Sequence, residues 1–200
     1  MVEKIGIVSS QRGWHTRALE DALRRQGITP AFFHITRLAA WINGPSLLES
    51  GEERIEDCQA MLVRTIPIGS LEQIIFRMDA LQRLERANIR VVNSARSIER
   101  TVDKYYTSSL LAEAGIATPR TLVTEDFKIA LAAFEEFGDA VVKPLFGSEG
   151  KGMVRVSDLD SAYRVFRSLE LNRYVFYVQE YIPHHNQDYR AFVIGDRGMA

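Results

Sequence analysis

Apolar and polar positions fall into blocks whose rhythm changes along the chain. Lys4 to Ser9 is a short apolar run, and Thr16 to Gln26 reads as a helix ending at Gly27, so the chain opens with a strand followed by a helix. Ala31 to Ile35 is a second apolar run, followed by a long irregular stretch. Ala60 to Thr65 then carries Met61, Leu62 and Val63 at its centre. Continuous apolar runs of this kind suit parallel strands buried on both faces. The clearest helix comes next, with Leu71, Ile74, Ile75, Met78, Leu81 and Leu84 at helical spacing behind Ser70 and Gln73, a pair spaced as a capping box. Ile89 to Asn93 supplies one more strand. Strands alternating with helices predict an α/β unit, a small and mostly parallel doubly wound sheet, over residues 1–97.

After Asn93 the order is different. Asp103 to Ala114 reads as a helix closed by Gly115, and Pro119 to Val123 as a strand after a Thr-Pro turn. A helix with Phe127, Leu131 and Phe134 on one face ends at Gly138, and Ala140 to Pro144 is a strand running directly into a glycine-rich turn. Met153 to Val156 is a strand, Asp158 caps another helix, and Tyr174 to Ile182 is a further strand. This is an α+β order rather than a continued parallel sheet. Tyr189 to Ile194 reads as a strand and Gly195-Asp196-Arg197-Gly198 as a hairpin turn, leaving Met199 and Ala200 with no return strand. An edge left unpaired in that way predicts the front part of a longer chain.

Composition narrows the classes. Hydrophobic residues are 46% and charged residues 26% of 200, which excludes a disordered chain and provides material for one large or two small domains. Lys plus Arg total 25 against 26 for Asp plus Glu, so a net charge of -1 gives no global attraction to nucleic acid or to an anionic membrane, and neither is expected as a partner. The single cysteine, Cys58, cannot form an internal disulfide or supply a cysteine-based metal cluster. No stretch approaches the ~20 apolar residues that span a bilayer, and no signal-like run is present, so a cytoplasmic location is expected.

The most informative segment is Val141-Val142-Lys143-Pro144-Leu145-Phe146-Gly147-Ser148-Glu149-Gly150-Lys151-Gly152. Glycines at 147, 150 and 152 let a turn bring backbone N–H groups close to an anion, and Lys143 and Lys151 add cationic donors, as phosphate binding requires. The spacing is neither a Walker A loop nor the dinucleotide fingerprint, and a flexible hairpin with a solvated lysine accounts for the segment taken alone. Lys143 sits between Val142 and Pro144 in an apolar strand, where an ammonium is expensive to bury unless something negative meets it. Lys104 opens a helix after Asp103, a place where a positive residue opposes the helix dipole, so stability gives it no obvious reason to be there. Val178-Gln179-Glu180-Tyr181-Ile182-Pro183 is an apolar strand ending at a proline, with Asp188-Tyr189-Arg190 beyond it. A strand end of this kind can offer backbone groups to a purine edge, Glu180 to an exocyclic amine and Asp188 to a ribose hydroxyl; an ordinary edge strand with surface polars is the alternative. His184 and His185 suit a solvated linker better than a metal site, His15 beside Trp14 suits loop packing, and Cys58 is too isolated for a nucleophile.

Together these pieces resemble the ATP-grasp ligases. The resemblance runs from Val92-Asn93 through Asp103-Lys104 and Thr107, Gly115 and Pro119, Lys143-Pro144 with the loop Gly147 to Gly152, then Gln179-Glu180-Tyr181-Ile182 and Asp188-Tyr189-Arg190. Within the superfamily the chain is most similar to the RimK-type branch, and Arg64 to Ser70 resembles the substrate-side loop of that branch, particularly of the tetrahydromethanopterin glutamate ligases. The resemblance implies a Rossmann-like preliminary domain over 1–97, a central α+β domain over 98–182 and the start of an incomplete third domain over 183–200. It implies ATP and Mg2+ (or Mn2+) as cofactors. Lys104 and Lys143 would hold the phosphates, with Gly147, Ser148, Glu149, Gly150 and Gly152 closing over them. Gln179, Glu180, Tyr181 and Ile182 would surround adenine, Asp188 would take the ribose, and Arg190 would be the catalytic residue on the phosphate or substrate side.

The activity so implied is carboxylate–amine ligation through an acyl phosphate. The partners are a small-molecule or peptide carboxylate, an amino acid taken as glutamate, and further copies of the chain in a homo-oligomer. Two departures stand against it. Glu149 puts a carboxylate into a phosphate loop, and the family's metal ligands fall on later strands than this sequence reaches, so no residue here is assigned to metal. A chain of this length is then expected to bind nucleotide poorly and to be inactive. A non-catalytic, nucleotide-responsive or assembly module that kept the early domains is the rival reading.

Overall fold

The computed structural model describes residues 3–147, 150–184 and 187–200. The chain forms two compact units, one of residues 1–110 with 146–151, the other of 111–145 with 152–200. Each has its own hydrophobic core.

The first unit begins with β1 (Lys4–Ser9), α1 (Trp14–Arg25) and β2 (Thr29–His34). Three short strands follow, β3 (Leu38–Ala40), β4 (Leu48–Ser50) and β5 (Glu53–Arg54), then β6 (Ala60–Val63), α2 (Leu71–Arg86), β7 (Arg90–Val92) and α3 (Ala95–Val102). Helix α4 (Lys104–Glu113) ends at Gly115, whose φ of 74° is the left-handed value that a glycine adopts without strain. The strands β2-β1-β6-β7 form one sheet, parallel throughout, as the alternating pattern predicts. Its core joins Val8, Phe33 and Met61 of the strands to Met78, Leu81 and Leu84 of α2, all at most 5% exposed. Ser70 accepts from Gln73 N–H at 3.3 Å while Gln73 Oε1 accepts from Ser70 N–H at 3.0 Å, so the capping box starts α2 where the spacing placed it.

Two features of this unit differ from expectation. The stretch read as irregular holds the antiparallel sheet β3-β4-β5, with strands of two or three residues too short to show a period. Side chains secure it: Glu56 accepts from Leu47 N–H at 2.8 Å, and Glu49 accepts from the Trp41 indole at 3.0 Å. Helix α3 was not anticipated; Ser94 caps it by accepting from Ser97 N–H at 3.1 Å, and Glu85 of α2 accepts from Ala95 N–H at 3.0 Å.

The second unit contains β8 (Thr121–Thr124), α5 (Phe127–Phe137), β9 (Ala140–Lys143), β10 (Val154–Val156), α6 (Leu159–Leu171) and β11 (Phe176–Glu180). Its sheet has the order β10-β9-β11-β8 and is antiparallel at every junction. Asp126 caps α5 and Asp158 caps α6 with their carboxylates. Phe134 and Phe166 of the helices pack with Val142, Phe176 and Val178 of the sheet. Phe166 and Phe176 meet edge to face at 5.5 Å. The chain closes with β12 (Phe192–Ile194) and β13 (Arg197–Met199), an exposed antiparallel hairpin. The missing return strand is therefore corrected: Arg197–Met199 is that strand, and the turn is Gly195-Asp196, shorter than predicted. Among the described residues no helix is long and apolar enough to cross a membrane.

Gly6, in the middle of β1, has no room for a side chain: a Cβ there would lie 2.5 Å from Met61 Sδ and 2.7 Å from the Phe33 ring. Both neighbours are fully buried, so neither can retreat into solvent. Gly6→Ala is expected to destabilise the first unit by about 1–3 kcal/mol, the usual range for overpacking. Urea unfolding should show the midpoint falling with the slope unchanged.

Candidate functional site

Period-two alternation gives the second unit's sheet two different faces. Ala140, Val142, Phe176 and Val178 turn toward α5 and α6 and are buried. Val141 and Lys143 of β9, Tyr177 and Gln179 of β11 and Thr121 of β8 belong to the opposite face. The registers bring them together, because Tyr177 pairs with Lys143 and Gln179 pairs with Thr121.

Lys143 is half-buried, and its ammonium donates to Gln179 Oε1 at 2.5 Å. The Gln179 amide nitrogen donates to Thr121 Oγ1 at 2.8 Å and to the Tyr177 hydroxyl at 3.3 Å. Thr121 in turn donates to the Pro119 carbonyl at 2.9 Å. The Tyr177 ring lies 6.0 Å from the ammonium, the outer limit of a cation–π contact. Among the described residues no carboxylate forms an ion pair with Lys143, whose hydrogen-bond partner is the neutral Gln179 amide. Burial accordingly holds its pKa below the ordinary lysine value of 10.5.

Two carboxylates at the strand ends are held by arginines. Glu180, at the end of β11, receives two bonds from Arg120, Nε to Oε2 at 3.0 Å and a second guanidinium nitrogen to Oε1 at 3.1 Å, which hold its pKa below the usual carboxylate value. Asp139, just before β9, takes a bidentate pair from Arg155 at 3.0 and 2.6 Å, and its pKa is lowered in the same way. The Arg155 guanidinium also lies 3.6 Å from the centroid of Tyr181. Backbone bonds complete the strand end: Glu180 N–H donates to the Arg120 carbonyl and Tyr181 N–H to the Asp139 carbonyl, each at 2.9 Å. Arg120 and Arg155, which orient the two side chains of the Gln179 to Ile182 motif, were not singled out from the sequence, since each partner is distant along the chain. Ile182 is 49% exposed, and Asp188 and Arg190 form a loose, exposed pair at 3.8 Å.

In the glycine loop, Gly147, Gly150 and Gly152 have φ of 126°, 71° and 78°. All three occupy the region that side-chain-bearing residues rarely adopt. Ser148 and Glu149 lie outside the described residues. Within the first unit, Lys104 donates to the Gly147 carbonyl at 2.8 Å, and Asp103 forms a β-bridge with Phe146. Lys104 thus does have a structural reason to open α4: it ties down the start of the loop. Phe146 lines a cleft of about 290 Å3 with Leu71, Ile75 and Met78 of α2 and with Val102 and Tyr106.

The segment Arg64 to Ser70 is pinned at both ends. Thr65 Oγ1 lies 3.0 Å from Ser9 Oγ and accepts from Ser10 N–H at 3.1 Å, and the buried Arg77 donates to the Pro67 carbonyl at 2.7 Å. Cys58 is buried, which pushes its thiol pKa up to about 11 and makes it a poor nucleophile. Among the described residues no group of three or more His, Cys, Asp or Glu is placed to hold a metal ion. Within the second unit, a half-buried ammonium held by a neutral amide is a donor that fits a phosphate.

Comparison with solved structures defines the class. A RimK domain ATP-grasp protein from Sphaerobacter thermophilus superposes with a TM-score of 0.73 at 22% identity, covering 90% of this chain and 64% of that one, so the fold is ATP-grasp. Residues 101–200 match the RimK-like ATP-grasp domain, and the chain belongs to that family. It is 33% identical to the tetrahydromethanopterin:alpha-L-glutamate ligase of Methanosarcina acetivorans over 99% of this chain and 66% of the relative. It is 39% identical to the alpha-aminoadipate–LysW ligase LysX of Sulfolobus acidocaldarius over 54% of this chain and 41% of the relative. The chain spans about two thirds of the length of the glutamate ligases it matches.

The lowered pKa of Lys143 has a measurable sign. In the folded chain its protonated form is disfavoured; this destabilisation is fully present below the folded pKa and lifts as pH rises from there toward 10.5, where the unfolded chain binds more protons. Carbon-13 labelling of the lysine Cε positions, with Lys143→Arg assigning the resonance, should give a titration midpoint below 10.5. A midpoint at or above that value would contradict the burial argument.

Proposed function

We propose that this chain is the nucleotide-binding part of an ATP-dependent carboxylate–amine ligase. The observation that carries the reading is the half-buried Lys143 ammonium, held by a neutral acceptor with no carboxylate partner among the described residues. Charge-assisted bonds from such a group to a phosphate are strong, and the phosphate supplies the negative charge that the strand lacks. The family motif counts Lys104 and the glycines from 147 to 152 among the same phosphate contacts, and that part rests on the sequence. Because Arg120 takes the Glu180 carboxylate and Arg155 covers the Tyr181 ring, adenine is met by backbone groups of Glu180 to Ile182 more than by those side chains. Asp188 and Arg190 keep their motif roles, ribose and phosphate or substrate side.

The reaction follows from the class. A substrate carboxylate oxygen attacks the γ-phosphorus, ADP leaves, and an acyl phosphate forms. The amine nitrogen of an amino acid then attacks the acyl carbon, loses a proton, and phosphate departs through a tetrahedral intermediate. Cationic donors stabilise the developing charge. Magnesium bound to ATP neutralises the transferring phosphate in phosphoryl transfer, and no residue of this chain is assigned to hold it. The relatives named tetrahydromethanopterin:alpha-L-glutamate ligase and alpha-aminoadipate–LysW ligase support an amino acid, taken as glutamate, as the amine and a small-molecule or peptide carboxylate as the other substrate. A cytoplasmic, homo-oligomeric protein is part of the same reading, as is the family's division into preliminary, central and third domains near 97 and 182.

The test is nucleotide binding. ATP added to the chain should shift the Lys143 Cε resonance saturably and raise its titration midpoint, because the phosphate favours the charged lysine. Affinity should accordingly fall as pH rises through the free chain's Lys143 pKa. Lys143→Ala should weaken binding by about tenfold to a hundredfold, the equivalent of one hydrogen bond to a charged group, with circular dichroism unchanged. Equal affinity in the variant would sink the reading.

A further inference from the structure

Gln179 belongs to the motif expected around adenine, and its side chain is engaged by Lys143, Thr121 and Tyr177. Its carbonyl oxygen faces the Lys143 ammonium at 2.5 Å and its amide nitrogen faces Thr121 at 2.8 Å and Tyr177 at 3.3 Å. An amide can be reversed by rotating its end, and the reversed form would aim N–H donors at a cation. What prevents this is the chain of donors behind it. Thr121 spends its own proton on the Pro119 carbonyl at 2.9 Å, so toward Gln179 its oxygen acts as an acceptor and selects the NH2 end. The direct pairing of Gln179 with Thr121 across β11 and β8 sets that contact by register.

The charged and titratable groups on the same face do not substitute for this arrangement. On β10, Arg155 is opposite Val141 and is committed to Asp139 and the Tyr181 ring. On β11, Tyr177 offers its hydroxyl to Gln179 and its ring to the ammonium. Glu180 has the parity of Phe176 and Val178, the opposite face, where its carboxylate is paired with Arg120. A glutamate at position 179 would occupy the same space and reach the same lysine, but it would neutralise the charge locally and set a carboxylate against any incoming phosphate.

We propose that Thr121 and Gln179 are positioning residues, holding the Lys143 ammonium with an oriented but neutral acceptor so that its charge stays available to a phosphate. The proposal rests on the nucleotide-binding reading for its ligand and on geometry within one unit for its mechanism. Thr121 touches no phosphate in it and acts through Gln179.

The experiment measures two quantities in the 200-residue chain, the Lys143 Cε titration midpoint without nucleotide and the affinity for ATP. Thr121→Val removes the acceptor that orients the amide; it should lower the Lys143 midpoint further and weaken ATP by roughly two- to tenfold. Thr121→Ser restores the hydroxyl and should restore both. Gln179→Glu should raise the midpoint by about one pH unit or more while weakening ATP about tenfold, a divergence that loss of structure does not produce. Unchanged midpoint and affinity in Thr121→Val, or ATP binding in Gln179→Glu as tight as in the parent, would overturn the proposal. If Gln179→Glu does not fold, the Val and Ser variants at 121 decide it. If the parent chain binds no ATP, the phosphate role fails along with the functional reading. The midpoints in the free chain still show whether Thr121 orients Gln179, so the two failures are distinct.

Discussion

An ammonium half-buried on a β-sheet, held by a neutral amide and by no carboxylate among the described residues, is the constraint around which the second unit is organised. Isolated charges leave water at considerable expense, and proteins ordinarily meet them with an opposite charge. Here Lys143 meets the carbonyl end of an amide and, at the limit of contact, an aromatic face. That arrangement solvates the lysine without neutralising it. A lysine so placed destabilises the free chain slightly and becomes favourable when an anion arrives, which is the usual relation between a binding group and the stability of its scaffold.

The fold makes such a placement possible through the division of labour between the faces of one sheet. Helices α5 and α6 cover one side with Phe134 and Phe166 over Val142, Phe176 and Val178, and this core fixes the strand registers. A slip of one residue on β9 would turn Lys143 into that core and Val142 out of it. The apolar packing and the position of the lysine are thus one requirement seen from two sides. The same registers place Thr121 opposite Gln179 and Tyr177 opposite Lys143, so the polar network is assembled by the backbone rather than by a local motif.

Much of this was legible along the chain. The capping box at Ser70 and Gln73, the parallel strands of the first unit and the cap at Asp158 are local signals, and local signals survive in a sequence. Lys143 stood out because a charge inside an apolar run contradicts its surroundings. What was illegible depended on pairing between distant segments. Arg120 meets Glu180 across 60 positions and Arg155 meets Asp139 across 16, and neither pair can be proposed before the strand order is known. The strands β3, β4 and β5 carry too few residues for a period, and Lys104 read as unexplained because its acceptor, the Gly147 carbonyl, lies 43 positions away. The predicted strand over Tyr189–Ile194 shrank to Phe192–Ile194, where no core selects among exposed positions.

The arginine pairs acquire a meaning beyond stability from the same geometry. Exposed ion pairs contribute little to folding, and the Arg120 and Arg155 side chains are each about half exposed. Their partners, however, are Glu180 and Asp139, the acidic residues that end β11 and precede β9, the two strands that carry Gln179 and Lys143. The pairs therefore fix the ends of the two strands that carry the lysine and its acceptor. Two bidentate arginines hold both carboxylates in place, and the backbone bonds of Glu180 and Tyr181 fix the strand end from which they project. Lys143 is thus met by an acceptor without charge, Gln179, on strands whose ends the arginine pairs hold. Charge that is expensive to bury is in this way reserved for a ligand that brings the compensating charge with it.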